Sequence, residues 1–132
     1  MIKATGKIVV EPNFMYLSVD EDIARLYRSL LRKKGIILIR QRAGCHISVI
    51  RPEEVRQKPL SKGYHGEIVE FSYNPEYIQN NATHYWFRIV SPWLEDIRTS
   101  LDFSTQPVEV IGGELIDVHP FHLTIGRIAG TE

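Results

Sequence analysis

Two four-residue stretches repeat one pattern of chemistry. His46-Ile47-Ser48-Val49 and His122-Leu123-Thr124-Ile125 both read imidazole, apolar, hydroxyl, apolar. Side chains alternate across a β-strand, so in each stretch the histidine and hydroxyl share one face and the two apolar residues share the other. If both stretches border one cleft, two imidazoles and two hydroxyls surround a common ligand. That set suits phosphodiester cleavage without a metal. A neutral imidazole takes a proton from the attacking hydroxyl or water, and a protonated one gives a proton to the departing oxygen. Histidine serves both tasks because its ordinary pKa is near ~6.5. Ser48 and Thr124 then hold the non-bridging phosphate oxygens where charge accumulates. The other histidines lack the pattern: His65 precedes Gly66-Glu67, His84 precedes Tyr85-Trp86, and His119 precedes Pro120-Phe121. These three read as surface or hydrogen-bonded structural residues.

The elements that must position these motifs fall into two similar halves. In the first, Phe14–Val19 reads as a strand and Asp20–Lys34 as an amphipathic helix, with Ile23, Leu26, Tyr27, Leu30 and Leu31 at helical spacing. Ser18 and Glu21 have capping-box spacing, while Arg32, Lys33 and Lys34 before Gly35 suit a helix end. Ile36–Arg40 and Cys45–Arg51 read as β segments, and Glu67–Tyr73 as a further strand. In the second half, His84–Ser91 reads as a strand. Ser91 caps a helix that has Pro92 at its first position and runs over Trp93–Leu101. Val108–Ile111, Gly112-Gly113 and Glu114–Val118 spell a hairpin, and Phe121–Ile128 forms the last strand. The helices share Glu-Asp-Ile at positions 21–23 and 95–97, a weak signal of duplication.

Strand alternation extends the candidate site. Met15, Leu17 and Val19 take the core face of the first strand, which leaves Phe14, Tyr16 and Ser18 on the other. On the equivalent strand Tyr85, Phe87 and Ile89 face the core and Trp86 and Arg88 the cleft. Tyr16 and Trp86 are then candidate base-stacking platforms and Arg88 a phosphate donor, against the plainer alternatives of packing and ion pairing. Arg40 and Arg42 read as solvated charges, and Trp93 as a packing residue. Cys45 turns toward the core and reads as a buried apolar residue rather than a nucleophile. No carboxylate or third histidine flanks the motifs at ligand spacing, so neither metal nor cofactor is implied. Gln57–Gly66, with Pro59 and Gly63, is the candidate segment for folding over a ligand.

Composition sets bounds. The 132 residues are 43% apolar and 24% charged, with 16 basic side chains against 16 acidic, which suits one domain spanning 1–132. Such a chain buries roughly two thirds of its unfolded surface and needs no staple. The balanced charge argues against a grip on long nucleic acid, so a nucleotide ligand is expected to be small. The longest apolar run, Gly35–Ile39, falls far short of a membrane span. With one cysteine and no signal-peptide pattern, a cytoplasmic location is expected.

The two motifs, 76 positions apart, make the chain resemble the 2H phosphoesterase superfamily, whose signature is a pair of His-x-Ser/Thr motifs. The resemblance runs from about Phe14 to Ile128, with specificity confined to the motifs. It implies a bilobal, pseudo-symmetric α+β fold in which antiparallel sheets line a central cleft and helices lie outside. The segments Lys3–Lys7, Glu11–Tyr16 and Pro120–Gly126 are further similar to the bacteriophage anti-CBASS phosphodiesterases. That likeness implies metal-independent cleavage of 3′,5′ linkages in the cyclic di- and trinucleotide signals of bacterial immunity, inside an infected host. His46 and His122 would be acid and base, in an order the sequence leaves open, and the attacking group would be water or a ribose 2′-hydroxyl. The sequence ends eight residues after Thr124, so if such relatives close the site with a C-terminal lid, this chain is expected to use something else or to act without one. One alternative is an enzyme opening 2′,3′-cyclic phosphates at RNA ends. Another is a non-catalytic sponge for cyclic nucleotides, which would not need two proton-transfer groups.

Overall fold

The computed structural model describes residues 1–56, 59–111 and 114–130. It is an α+β structure of nine strands and two helices: β1 (Ile2–Glu11), β2 (Phe14–Val19), α1 (Glu21–Lys33), β3 (Leu38–Ile39), β4 (His46–Ile50), β5 (Ile68–Asn80), β6 (His84–Val90), α2 (Pro92–Ser100), β7 (Val108–Ile111), β8 (Glu114–Val118) and β9 (His122–Ile128). A short 3-10 turn, Pro52–Glu54, follows β4. Seven strands form one sheet in the order β3-β9-β6-β5-β1-β2-β4, with every pairing antiparallel, and β7 and β8 make a separate ribbon. The connectivity β1-β2-α1-β4 recurs as β5-β6-α2-β9, and the β1–β5 pairing joins the repeats. The sheet curves until β4 and β9, with four strands between them in its order, approach each other without pairing.

β1 carries no clear signal in the sequence, because Lys3-Ala4-Thr5-Gly6-Lys7 is poor in strand formers. It is nonetheless one of the two central strands of the duplication. Gly6 explains part of this: a Cβ there would lie 2.6 Å from both Leu17 Cγ and the Ser18 carbonyl, so only glycine lets β1 approach β2. β5 likewise runs beyond the expected Tyr73 to Asn80. Its pairing with β6 is interrupted between Tyr73 and Ile78, around Pro75, which has no N–H to donate.

The helices show what local pattern determines and what packing overrides. Asp20, not Ser18, caps α1 by accepting from the Asp22 N–H at 2.8 Å; Ser18 remains in β2, paired with His46. Gly35 ends the helix at φ 86°, with Gly35 N–H donating to Arg32 O and Ile36 N–H to Leu31 O. Ala24, Tyr27 and Leu31 form the buried stripe, whereas the expected core residues Leu26 and Leu30 are 54% and 43% exposed. In α2, Ser91 Oγ accepts from Leu94 N–H at 3.2 Å with Pro92 at the first position, as expected. Trp93 does not pack; it is exposed. The shared Glu-Asp-Ile fragment begins at the first residue of α1 but at the fourth of α2, so it marks no equivalent positions.

The core lies on the sheet face opposite the motif side chains. Ile47, Val49, Leu123 and Ile125 are buried, packed with Leu17, Phe87, Phe71 and Leu94. Each such burial contributes about 1.5–3 kcal/mol, which pins the strand register and turns His46, Ser48, His122 and Thr124 the other way. Within this core Arg98 is fully buried, and its guanidinium clasps both Glu54 carboxylate oxygens at 2.7 and 3.0 Å. Removing either partner would cost roughly 3–5 kcal/mol by stranding the other charge. Among the described residues no helix is long and apolar enough to cross a membrane.

Candidate active site

The duplicated strands present the motifs in one register. Across β2 and β4, Ser18 faces His46 and Tyr16 faces Ser48. Across β6 and β9, Arg88 faces His122 and Trp86 faces Thr124. All four motif polar residues are half-buried, alternating with buried apolar neighbours, as strand alternation requires. The same rule holds for Met15, Leu17, Val19, Phe87 and Ile89 in the core. Tyr85 departs from it: the pairing shifts between Tyr85 and Trp86, and Tyr85 is only half-buried.

The two imidazoles are also held alike. His46 Nδ1 lies 3.1 Å from the Gly44 carbonyl and His122 Nδ1 lies 3.1 Å from the Pro120 carbonyl. A carbonyl only accepts, so each Nδ1 carries the proton. Nε2 is left as the ring atom that meets a ligand, basic in the neutral form and a donor in the charged form. The Ser48 and Thr124 hydroxyls make no hydrogen bond among the described residues.

A cavity of about 500 Å³ opens against the second motif, with His122, Thr124, Trp86 and Arg88 in its wall. The first half supplies Gln41 and Arg51. His46, Ser48 and Tyr16 border the same sheet face without forming the wall. His46 is nevertheless near enough for its charge to act on His122. Burial above all holds the His122 pKa below the ordinary histidine value; its bond to the Pro120 carbonyl opposes this, and positive charge on His119, Arg51 and His46 adds to the lowering. The His119 ring meets His122 edge to face at 5.1 Å, and Tyr16 meets His46 the same way at 5.8 Å.

Among the described residues no carboxylate lines the cavity, while Arg51, Arg88, His84, His119 and His122 do, which favours an anion. Arg51 is ion-paired with Glu53, and Arg88 is exposed without an ion pair among the described residues. The Trp86 indole N–H donates to Gln79 Oε1 at 2.9 Å, which fixes the ring as a platform. Gln41 Oε1 is buried in the described structure with no hydrogen-bond partner, an uncommon state for a buried acceptor.

Several cavity residues carry no sequence signal. Arg51, Gln41, Gln79 and Asn81 belong to no motif, and His84 and His119 read as merely structural. His119 had one clue, its place three residues before His122. His65 fits the structural reading, since its Nδ1 accepts from Val10 N–H at 3.0 Å. Arg40 and Arg42 stand outside the wall, Arg40 in an ion pair with Glu21. Cys45 is buried, and burial with the nearby Glu21 charge pushes its thiol up to about 12, so it is no nucleophile. Of the segment proposed to cover a ligand, Gln57 and Lys58 lie outside the described residues. The rest is tied down: Leu60 N–H donates to Pro12 O, Gly66 N–H to Ile8 O, and Tyr64 meets Ser100 at 2.6 Å. None of its described residues lines the cavity. Among the described residues no three His, Cys, Asp or Glu side chains cluster closely enough to hold a metal.

Compared with family models, curated proteins and solved structures, the chain finds no match.

Proposed function

We propose that the protein is a phosphodiesterase that cleaves small cyclic oligonucleotides at 3′,5′ linkages, using His46 and His122 for proton transfer and no metal. The observation that carries this reading is the duplicated geometry: two imidazoles, each with Nδ1 locked on the carbonyl two residues earlier, beside a hydroxyl in the same register, on the sheet face where a cavity opens against the second pair with no carboxylate in its wall among the described residues. Binding alone has no use for two matched proton-transfer groups, which disfavours a sponge.

On this reading the two β-β-α-β repeats are the lobes of a 2H-type fold, and the resemblance to phage anti-CBASS enzymes names the substrate class. The proton moves in two steps. His122, whose burial and cationic neighbours favour the neutral ring, takes the proton of the attacking water or 2′-hydroxyl. A new P–O bond forms as the bond to the leaving ribose oxygen breaks, and His46, in its charged form, protonates that oxygen. Thr124 and Ser48 donate to the non-bridging oxygens, with Arg88 nearby. Trp86 stacks a base, and Gln41, Gln79 and Asn81 offer amides to its edge.

The test is incubation in EDTA with cyclic di- and trinucleotides beside 2′,3′-cyclic mononucleotides, with products resolved by mass spectrometry. Cleavage of the cyclic oligonucleotides, lost in His46→Ala, is the expected result. Opening of the 2′,3′-cyclic phosphates alone would make it an RNA-end enzyme, and binding without turnover would overturn catalysis.

A further inference from the structure

Two arginines cross between the halves, each onto the other half's motif strand. Arg28, on α1, donates from Nη1 to the Ile125 carbonyl of β9 at 2.7 Å. Arg98, on α2, donates from Nη1 to the Val49 carbonyl of β4, also at 2.7 Å. Val49 and Ile125 are the equivalent fourth positions of the two motifs, each directly after the hydroxyl residue.

Both contacts extend into a bridge that reaches the residue before the opposite motif's histidine. Arg28 lies 3.4 Å from Glu21 Oε1, and Glu21 Oε2 accepts from the N–H of Cys45, the residue before His46, at 3.1 Å. Arg98 donates from Nε to the Ser104 carbonyl at 2.6 Å and from Nη2 to Ser104 Oγ at 3.3 Å. Ser104 Oγ in turn donates to the Gln106 carbonyl at 2.9 Å. Gln106 Oε1 accepts from the N–H of Phe121, the residue before His122, at 3.2 Å. Each bridge therefore ties the residue before one histidine to the residue after the other motif's hydroxyl.

We infer that Arg28 and Arg98 are positioning residues whose crossed bridges set the spacing between His46 and His122. β4 and β9 share no ladder hydrogen bonds, so sheet pairing does not fix their mutual offset directly. The arginines do so by hydrogen bonds to backbone carbonyls that a motif strand cannot shed without moving. Two-histidine catalysis is sensitive to that offset, because a displacement of about 1 Å costs on the order of 10²-fold in rate. The inference rests on the two histidines acting as a pair.

Arg28 is the residue to test, because Arg98→Ala would strand the buried Glu54. In the full chain, Arg28→Ala should retain its fold by circular dichroism and lower kcat about 10- to 100-fold with KM changed less than about two-fold. Arg28→Lys, which keeps a donor, should recover most of the rate, and Glu21→Gln should fall between them. A second readout needs no substrate. In nuclear magnetic resonance titrations of the free protein, His46→Gln should move the His122 midpoint, and that displacement should shrink when Arg28 is also Ala. Unchanged kcat with an unchanged displacement would overturn the inference, as would unfolding of both Arg28→Ala and Glu21→Gln. If the parent chain cleaves no nucleotide, the proposed function fails, while the titrations still decide whether Arg28 sets the spacing.

Discussion

The two motif strands are alike in backbone and unlike in surroundings. β4 and β9 share register, alternation and the carbonyl lock on Nδ1. Across from His46 stands Ser18, and Tyr16 rests its ring edge to face on His46 while stacking on Phe14 at 4.9 Å. Across from His122 stands Arg88, with Trp86 held by Gln79 and with His119 against the imidazole. Duplication thus supplies two imidazoles held alike, and the added residues of the second half make their surroundings unlike. The cavity forms where basic groups and amides gather, at β9, and there a neutral histidine is favoured. In the proposed mechanism, such a difference would let one half abstract a proton while the other returns one.

Breaking either motif should have the largest effect. His122→Ala and His46→Ala are each expected to lower turnover ~10³-fold or more while ligand affinity, measured by calorimetry, changes little. Equal losses would mean the halves contribute alike to the chemistry despite their surroundings. Next, Thr124→Ala should cost ~10²-fold in kcat and Ser48→Ala less, because Thr124 lies in the cavity wall and Ser48 outside it. A larger loss for Ser48 would place the phosphate nearer the first half.

The stacking residues separate the halves by affinity. Trp86→Ala should weaken nucleotide binding on the order of 10-fold, with a smaller change for Tyr16→Ala, as followed by fluorescence or calorimetry. Smallest is a shift in pH dependence. If His122 is the base, as proposed, it must be neutral, so kcat/KM should fall as pH drops through its pKa, on an acid limb lying below the ordinary value near ~6.5. His119→Gln removes one cationic neighbour and should move that limb upward. A limb that moves downward would reject this account of the electrostatics.

Much of the fold was legible, and the misses have definite causes. Ser91-Pro92 and Gly35 marked helix ends because capping and positive φ are local requirements. Leu26 and Leu30 misled because helical periodicity reports an apolar arc, whereas the orientation of α1 against the sheet decides which part of the arc is covered. β1 was invisible because its pairing with β2 and β5 supplies what its weak propensity lacks. In the candidate site, alternation set out the motif faces and the strand positions that bring Trp86 and Arg88 to the cavity wall, while Tyr16 stands outside that wall. It gave no access to Arg51, Gln41 or the crossed arginines, which reach their places from separate elements.

By itself the sequence determined the chemistry of each motif and which face of its strand that chemistry occupies. Both are properties of neighbouring residues and the two-residue period of an extended chain. Only the tertiary structure decided that β4 and β9, whose histidines are 76 positions apart, come together, that the cavity lies against β9, and that Arg28 and Arg98 cross between halves. Those facts depend on sheet order and curvature, which arise from pairings and packing among distant segments that no local window of the chain contains.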